Sequence, residues 1–190
     1  MKYRKIHIFL LITIISLISL ACKISLGGNE PNAETIPVSA DAADSVQSII
    51  DNATITDAQN QTIAFTVTEE QVTSYAAQKF AENPDSDISN PQIYLRDGKI
   101  DAYAVYTQEY FDINMHITLS AIISPNNELE ITVDNADLGP IPVSEGLLDS
   151  ISSMIDDTMT NTLLPASTGF RMETIYIADG MATISGTLVP

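Results

Sequence analysis

Cysteine is nearly absent from this chain. There is one in 190 residues, Cys22. That excludes an intrachain disulfide, a cysteine-built zinc site and CxxC redox chemistry. Basic residues are also scarce, 8 against 25 acids, for a net charge of −17. Three of the bases, Lys2, Arg4 and Lys5, lie ahead of an apolar run; without them the balance is five bases against 25 acids, or −20. So negative a surface repels phosphate backbones, which excludes nucleic acid as a partner. Histidine occurs twice, at His7 and His116. There is no P-loop, no GxGxxG and no HExxH, so little of the usual catalytic repertoire is present.

What is present begins with a leader. Met1–His7 is basic, Ile8–Leu20 is apolar apart from Thr13, Ser16 and Ser19, and Ala21-Cys22 follows. This is the three-part layout of a secretory signal. Ile6–Ala21 is 16 residues. At about 1.5 Å per residue that makes about 24 Å, short of the roughly 30 Å hydrocarbon core. The lone cysteine sits at the cleavage point, and Ile18-Ser19-Leu20-Ala21-Cys22 resembles the lipobox of bacterial lipoproteins. Ser19 and Leu20 stand where that pattern has leucine and a small residue. A plain signal peptide with a chance cysteine, or an uncleaved anchor, are the alternatives. Each places the domain outside the cytoplasmic membrane, in the bacterial cell envelope, with Cys22 as the expected lipidation site and membrane contact made through the anchor. The expected division is a signal peptide over 1–21, a flexible tether over 22–40, rich in Gly, Pro and polar residues, and one domain over 41–190.

Within that domain Ala42, Ala43, Val46, Ile49 and Ile50 recur at helical spacing, predicting a short helix over about Asp41–Asp51. Ile63, Phe65 and Val67 alternate as in a half-buried strand. Thr68-Glu69-Glu70-Gln71 fits a capping box ahead of the stripe Val72, Tyr75, Ala76, Lys79 and Phe80, with Pro84 after the end. Asp97-Gly98 between alternating runs marks a hairpin. Ile113–Ile123 alternates strictly, and Leu129, Ile131 and Val133 make another strand. A second long helix is expected after Ser144, carrying Leu147, Leu148, Ile151, Met154, Ile155, Met159 and Leu163 and ended by Pro165. Asp179-Gly180 marks a last hairpin. Ile93–Gly98 resembles Ile175–Gly180, with four of six aligned positions identical, but hairpins converge on Asp-Gly for steric reasons. The expected class is α+β: a curved antiparallel sheet with two long amphipathic helices on its concave face.

His116 shares its strand face with Asn114, Thr118 and Ser120, and no nucleophile elbow accompanies it, so it reads as a solvated strand residue. Asp85-x-Asp87, Asp134-x-x-Asp137 and Asp156-Asp157 lack the order of a calcium loop and read as acidic surface. No catalytic residue, metal ligand or cofactor is assigned. The sequons at Asn52 and Asn60 would be idle in a bacterial lipoprotein.

Apolar surface remains. Ile151, Met154, Ile155 and Met159 on the second helix, with Tyr75 and Phe80 opposite, are either ordinary core or the lining of a groove for a lipid or another apolar ligand.

Three stretches resemble the YpmS-like and LmeA-like families of bacterial envelope proteins: Thr68–Tyr75, Leu138-Gly139-Pro140-Ile141-Pro142, and Ile177–Gly186. The resemblance implies a one-pass or lipid-anchored protein with a curved sheet holding helices, and phospholipid binding for some relatives. It brings no catalytic set. The cysteine anchor and the acidity are departures from it. An apolar-ligand binder is the first expectation. A non-catalytic structural or protein-interaction lipoprotein with an unidentified protein partner is the second, and an envelope hydrolase the third.

Labelling with a radioactive fatty acid checks the anchor. Wild type should incorporate label and partition into detergent, and Cys22→Ala should do neither. Equal labelling of the two would refute lipidation.

Overall fold

The computed structural model describes residues 24–27, 29, 31–51, 54–57, 62–83, 86–107, 111–127, 129–139 and 170–188. The leader, Cys22 and the expected second helix lie outside them. Among the described residues eleven elements follow in order: β1 (Ile24–Leu26), α1 (Ala40–Asp51), β2 (Thr54–Asp57), β3 (Thr62–Thr68), α2 (Glu69–Glu82), β4 (Ile88–Arg96), β5 (Lys99–Thr107), β6 (Phe111–Ile123), β7 (Leu129–Asp137), β8 (Phe170–Ala178) and β9 (Met181–Leu188).

Local chemistry sets the helix ends. Ser39 caps α1, its hydroxyl accepting the Ala42 N–H at 3.1 Å. The capping box of α2 is complete: Thr68 Oγ1 accepts the Gln71 N–H at 3.3 Å, and Gln71 Oε1 accepts the Thr68 N–H at 2.9 Å. The Gln71 amide also donates to Ser45 Oγ at 2.9 Å, tying α2 to α1. Inside β6 the alternation holds: Ile113, Met115, Ile117 and Leu119 are buried, while Asn114, His116, Thr118 and Ser120 are half-buried. The strand β4 starts earlier than its apolar run. A bulge at Asn90-Pro91, with Asn90 at φ 51°, absorbs the proline that a regular ladder would reject.

The class is α+β, as expected, but the strands form two sheets where one was expected. The meander β4-β5-β6-β7 makes the first, and short β1 joins it parallel, sharing with β7 the edge of β6 that faces away from β5. The second sheet is antiparallel, in the order β2-β3-β9-β8. Alternation shows that a strand is half-buried. It does not show which strand it pairs with, and β3 finds β9 across most of the chain. The helix α2 carries the chain from the second sheet to the first, and residues 140–169 carry it back. Part of the segment read as a tether lies on the domain. The Gln92 amide brackets the Ile36 backbone, accepting its N–H at 2.7 Å and donating to its carbonyl at 3.3 Å, and Tyr94 donates to Glu34 O at 3.2 Å.

The sheets meet at the two Asp-Gly turns. Asp97, Gly98, Asp179 and Gly180 all have positive φ, between 52° and 80°, as two-residue hairpin turns of this hand require. The turns bond to each other reciprocally: the Gly98 N–H donates to Ile177 O at 2.9 Å, and the Gly180 N–H donates to Leu95 O at 3.0 Å. These are equivalent positions of the six-residue match, so the match, read from the sequence as turn convergence, describes a local pseudo-two-fold contact. Leu95, Ile177 and Ala182 form the buried cluster beneath it, with Val67, Val72, Ile93, Ile100, Ala121 and Ile175 packed around.

Glu69 closes the junction. Its N–H, a donor that the first turn of α2 cannot use, donates to Gly180 O at 3.0 Å. Its carboxylate accepts the Leu95 N–H at 2.7 Å and Arg96 Nε at 3.3 Å. A Cβ on Gly180 would stand 3.4 Å from that carboxylate, at a backbone conformation that side chains rarely adopt. Removing the acceptor leaves a backbone donor unpaired in the core. Glu69→Ala should therefore cost about 2 kcal/mol of unfolding free energy, and Glu69→Gln, which keeps an oxygen there, clearly less. Urea denaturation that finds Glu69→Ala as stable as wild type would contradict the role.

Candidate functional site

Three consecutive residues of α2, Thr73, Ser74 and Tyr75, are buried. The first two are polar and satisfied. Thr73 Oγ1 accepts the Ile93 N–H at 3.0 Å and donates to Ile93 O at 3.4 Å, fastening the helix to β4. Ser74 Oγ accepts the Ser39 N–H at 3.1 Å. Tyr75 differs. It is 6% exposed, and its buried hydroxyl has no hydrogen-bond partner among the described residues. Lys79 Nζ stands 5.5 Å from the ring centroid and pairs with Glu82 at 3.0 Å. Phe80 is half-buried on the same helix. Of the expected groove lining, Tyr75 and Phe80 are thus placed, while Ile151, Met154, Ile155 and Met159 lie outside the described residues.

A second constellation lies on the polar face of the first sheet. Register puts Tyr103 opposite His116, and the two rings stack at 4.2 Å and 3°. Tyr94 meets Tyr103 edge-on at 5.8 Å, and the Arg96 guanidinium lies 5.0 Å from the Tyr94 ring. Burial pushes both tyrosine hydroxyls up from their ordinary pKa, and the Asp101 carboxylate adds to the effect on Tyr103. Asp101 Oδ1 receives Thr118 Oγ1 at 2.7 Å and faces His116 Nε2 at 3.0 Å.

The His116 side chain is only 14% exposed, so its reading as a solvated residue is corrected. A hydroxyl, an imidazole and a carboxylate do converge, but in the wrong order for a relay. A triad sets the hydroxyl and the carboxylate on opposite ring nitrogens. Here both gather at Nε2, the Thr118 proton points at the carboxylate, and buried Nδ1 has no partner among the described residues. The arrangement fixes side chains across strands and lacks the order of a relay. The cluster was hidden because the β5–β6 connection carries no turn signal from which to fix register. Period two along β5 does set Asp101 and Tyr103 on one face.

Further along the same face Lys99 Nζ donates to Ser120 Oγ at 2.7 Å and to Asp134 Oδ2 at 2.8 Å, and Ser120 donates to the same carboxylate at 2.6 Å. Those bonds, from Lys99 first and then Ser120, hold Asp134 below the usual carboxylate range. Asp137 turns instead to the Gly139 N–H at 2.8 Å, so this acidic pair does not converge. Asp87 is exposed, and Asp85, Asp156 and Asp157 lie outside the described residues. Among the described residues no group of three His, Cys, Asp or Glu side chains could hold a metal ion, and no helix is long and apolar enough to cross a membrane.

No protein-family model matches the chain, and no curated protein matches it.

Proposed function

We propose that this is a membrane-anchored, extracytoplasmic lipoprotein of the bacterial cell envelope that binds a lipid or another apolar ligand. Cys22 carries the anchor on the outer face of the cytoplasmic membrane. The ligand lies in a groove on the concave side of a curved sheet, between α2 and a second long helix over the expected Ser144–Leu163 span. Ile151, Met154, Ile155 and Met159 form one wall, Tyr75 and Phe80 the other. The protein works as a binder and not as an enzyme.

One observation carries this reading: the buried hydroxyl of Tyr75 on the apolar stripe of α2, which has no partner among the described residues. A buried donor without an acceptor costs about 1–3 kcal/mol, and packing alone is served as well by phenylalanine. An ester or headgroup oxygen reaching Tyr75 removes that cost only when ligand is bound. Acyl carbons would contribute about 0.8 kcal/mol per buried CH₂, so eight carbons supply roughly 6 kcal/mol before ordering costs. The resemblance to the YpmS-like and LmeA-like families supports the same ligand class.

Tyr75→Phe separates binding from packing. The variant should melt at or above the wild-type temperature, by up to about 1 kcal/mol of added stability, because the unpaired hydroxyl is gone. It should bind a fluorescent fatty acid several-fold more weakly. Equal affinity of the two proteins, or a wild type that does not bind the probe, would leave Tyr75 as core. A non-catalytic structural or protein-interaction role would then be the better reading.

A further inference from the structure

The chain joins the first sheet almost as soon as it leaves Cys22. The strand β1 opens at Ile24, two residues on. It runs parallel to β6, with Ile24 beside Phe111 and Leu26 beside Ile113. Two residues of extended chain span at most about 7 Å. The same segment is fastened again before α1. Tyr94 donates to Glu34 O at 3.2 Å, the Gln92 amide brackets Ile36, and the Ser39 N–H donates to Ser74 Oγ at 3.1 Å. A free tether over 22–40 would hold the domain roughly 20–25 Å from its anchor on average. A chain paired with the sheet two residues past the anchor does not.

Register fixes which end of the sheet lies there. Thr107 of β5 is opposite Asp112, and the Thr107 N–H donates to Asp87 O at 2.7 Å, so Asp87, Thr107 and Phe111 share one end. The strand β6 has 13 residues, which puts its other end and the turn over Ser124–Asn127 about 40 Å away. The joint between the sheets lies toward that far end, because Lys99, just past the Asp97-Gly98 turn, is opposite Ser120. From the joint α2 runs back along β4: Glu69 bonds Leu95, and Thr73 bonds Ile93. Ile88, where β4 starts, is opposite Tyr106, at the Phe111 end.

We infer that the domain is seated on the outer face of the membrane by the β5–β6 end of the first sheet, with the joint and the second sheet held away from the bilayer. The inference rests on Cys22 being the anchor. Charge acts in the same direction. Anionic headgroups repel a chain with 25 acids, but only across a Debye length, about 8 Å at physiological salt. A domain standing on one end exposes little to that repulsion, and a domain lying flat exposes a whole face. The seat also gives the proposed groove a direction. The end of α2 that carries Phe80 is the end nearer the membrane, and Tyr75 lies about 8 Å further in along the helix axis. An acyl chain leaving the bilayer passes Phe80 before it reaches the Tyr75 hydroxyl.

The chain has no tryptophan, so one placed by substitution is a unique fluorophore. Asp87 and Asn126 are both exposed and stand at opposite ends of the sheet. The anchored full chain, as Asp87→Trp or as Asn126→Trp, is reconstituted into phosphatidylcholine vesicles that carry a nitroxide on the headgroup. Asp87→Trp should lose most of its emission and Asn126→Trp almost none. A Gly-Ser linker of about 12 residues inserted after Lys23, with a mean span of about 20 Å, should restore the emission of Asp87→Trp. Flotation of the same samples reads the anchor separately. Protein that does not float with the vesicles has no anchor, and the seat falls with it. Protein that floats with Asp87→Trp unquenched, with both positions quenched alike, or with quenching indifferent to the linker keeps its anchor and overturns the seat alone.

Discussion

Two turns that hold each other are the constraint on which the rest of this structure depends. Each Asp-Gly turn has the left-handed backbone that a tight hairpin needs, and that geometry aims a glycine N–H out of its own hairpin and into the other. The first sheet ends at one turn and the second sheet at the other. Their mutual bonds, with Leu95, Ile177 and Ala182 beneath, fix how the sheets meet. Glu69 is the third party. It starts α2 at Gly180 and sends its carboxylate back to Leu95, so the helix crossing from one sheet to the other begins at the joint between them.

Much of this was legible from local chemistry. The capping box at Thr68, the two hairpins and the alternation along β6 are set by residues within a few positions of each other, and all three stand in the structure. Pairing between distant segments was not legible. The alternation of Ile63, Phe65 and Val67 is equally good for any sheet edge, and the choice of β9 as partner is made by tertiary packing. The six-residue match gave a hint, but steric preference for Asp-Gly explains such a match without any contact. The reciprocal bonds are what separate the two explanations.

The candidate site divides in the same way. Helical period places Tyr75 and Phe80 on α2, and the structure adds a property of Tyr75 that periodicity cannot reveal, a buried hydroxyl without a partner among the described residues. The Tyr103–His116 stack and its Asp101 partner needed the β5–β6 register. Sequence also left unread the outer face of the second sheet, because threonine alternating with apolar residues is what any exposed strand prefers. Its exposed aromatic, Tyr176, stands on the edge strand β8.

Native-state hydrogen exchange tests the joint most directly. Turn amides of an ordinary hairpin exchange through local fraying, at nearly the rate of an unstructured peptide. The Gly98, Gly180 and Leu95 amides should instead exchange only when the whole domain unfolds, with the same denaturant dependence as the Ile117 amide in the centre of β6. Rapid, denaturant-independent exchange at Gly98 and Gly180, with Ile117 still protected, would show that the turns do not hold the sheets together.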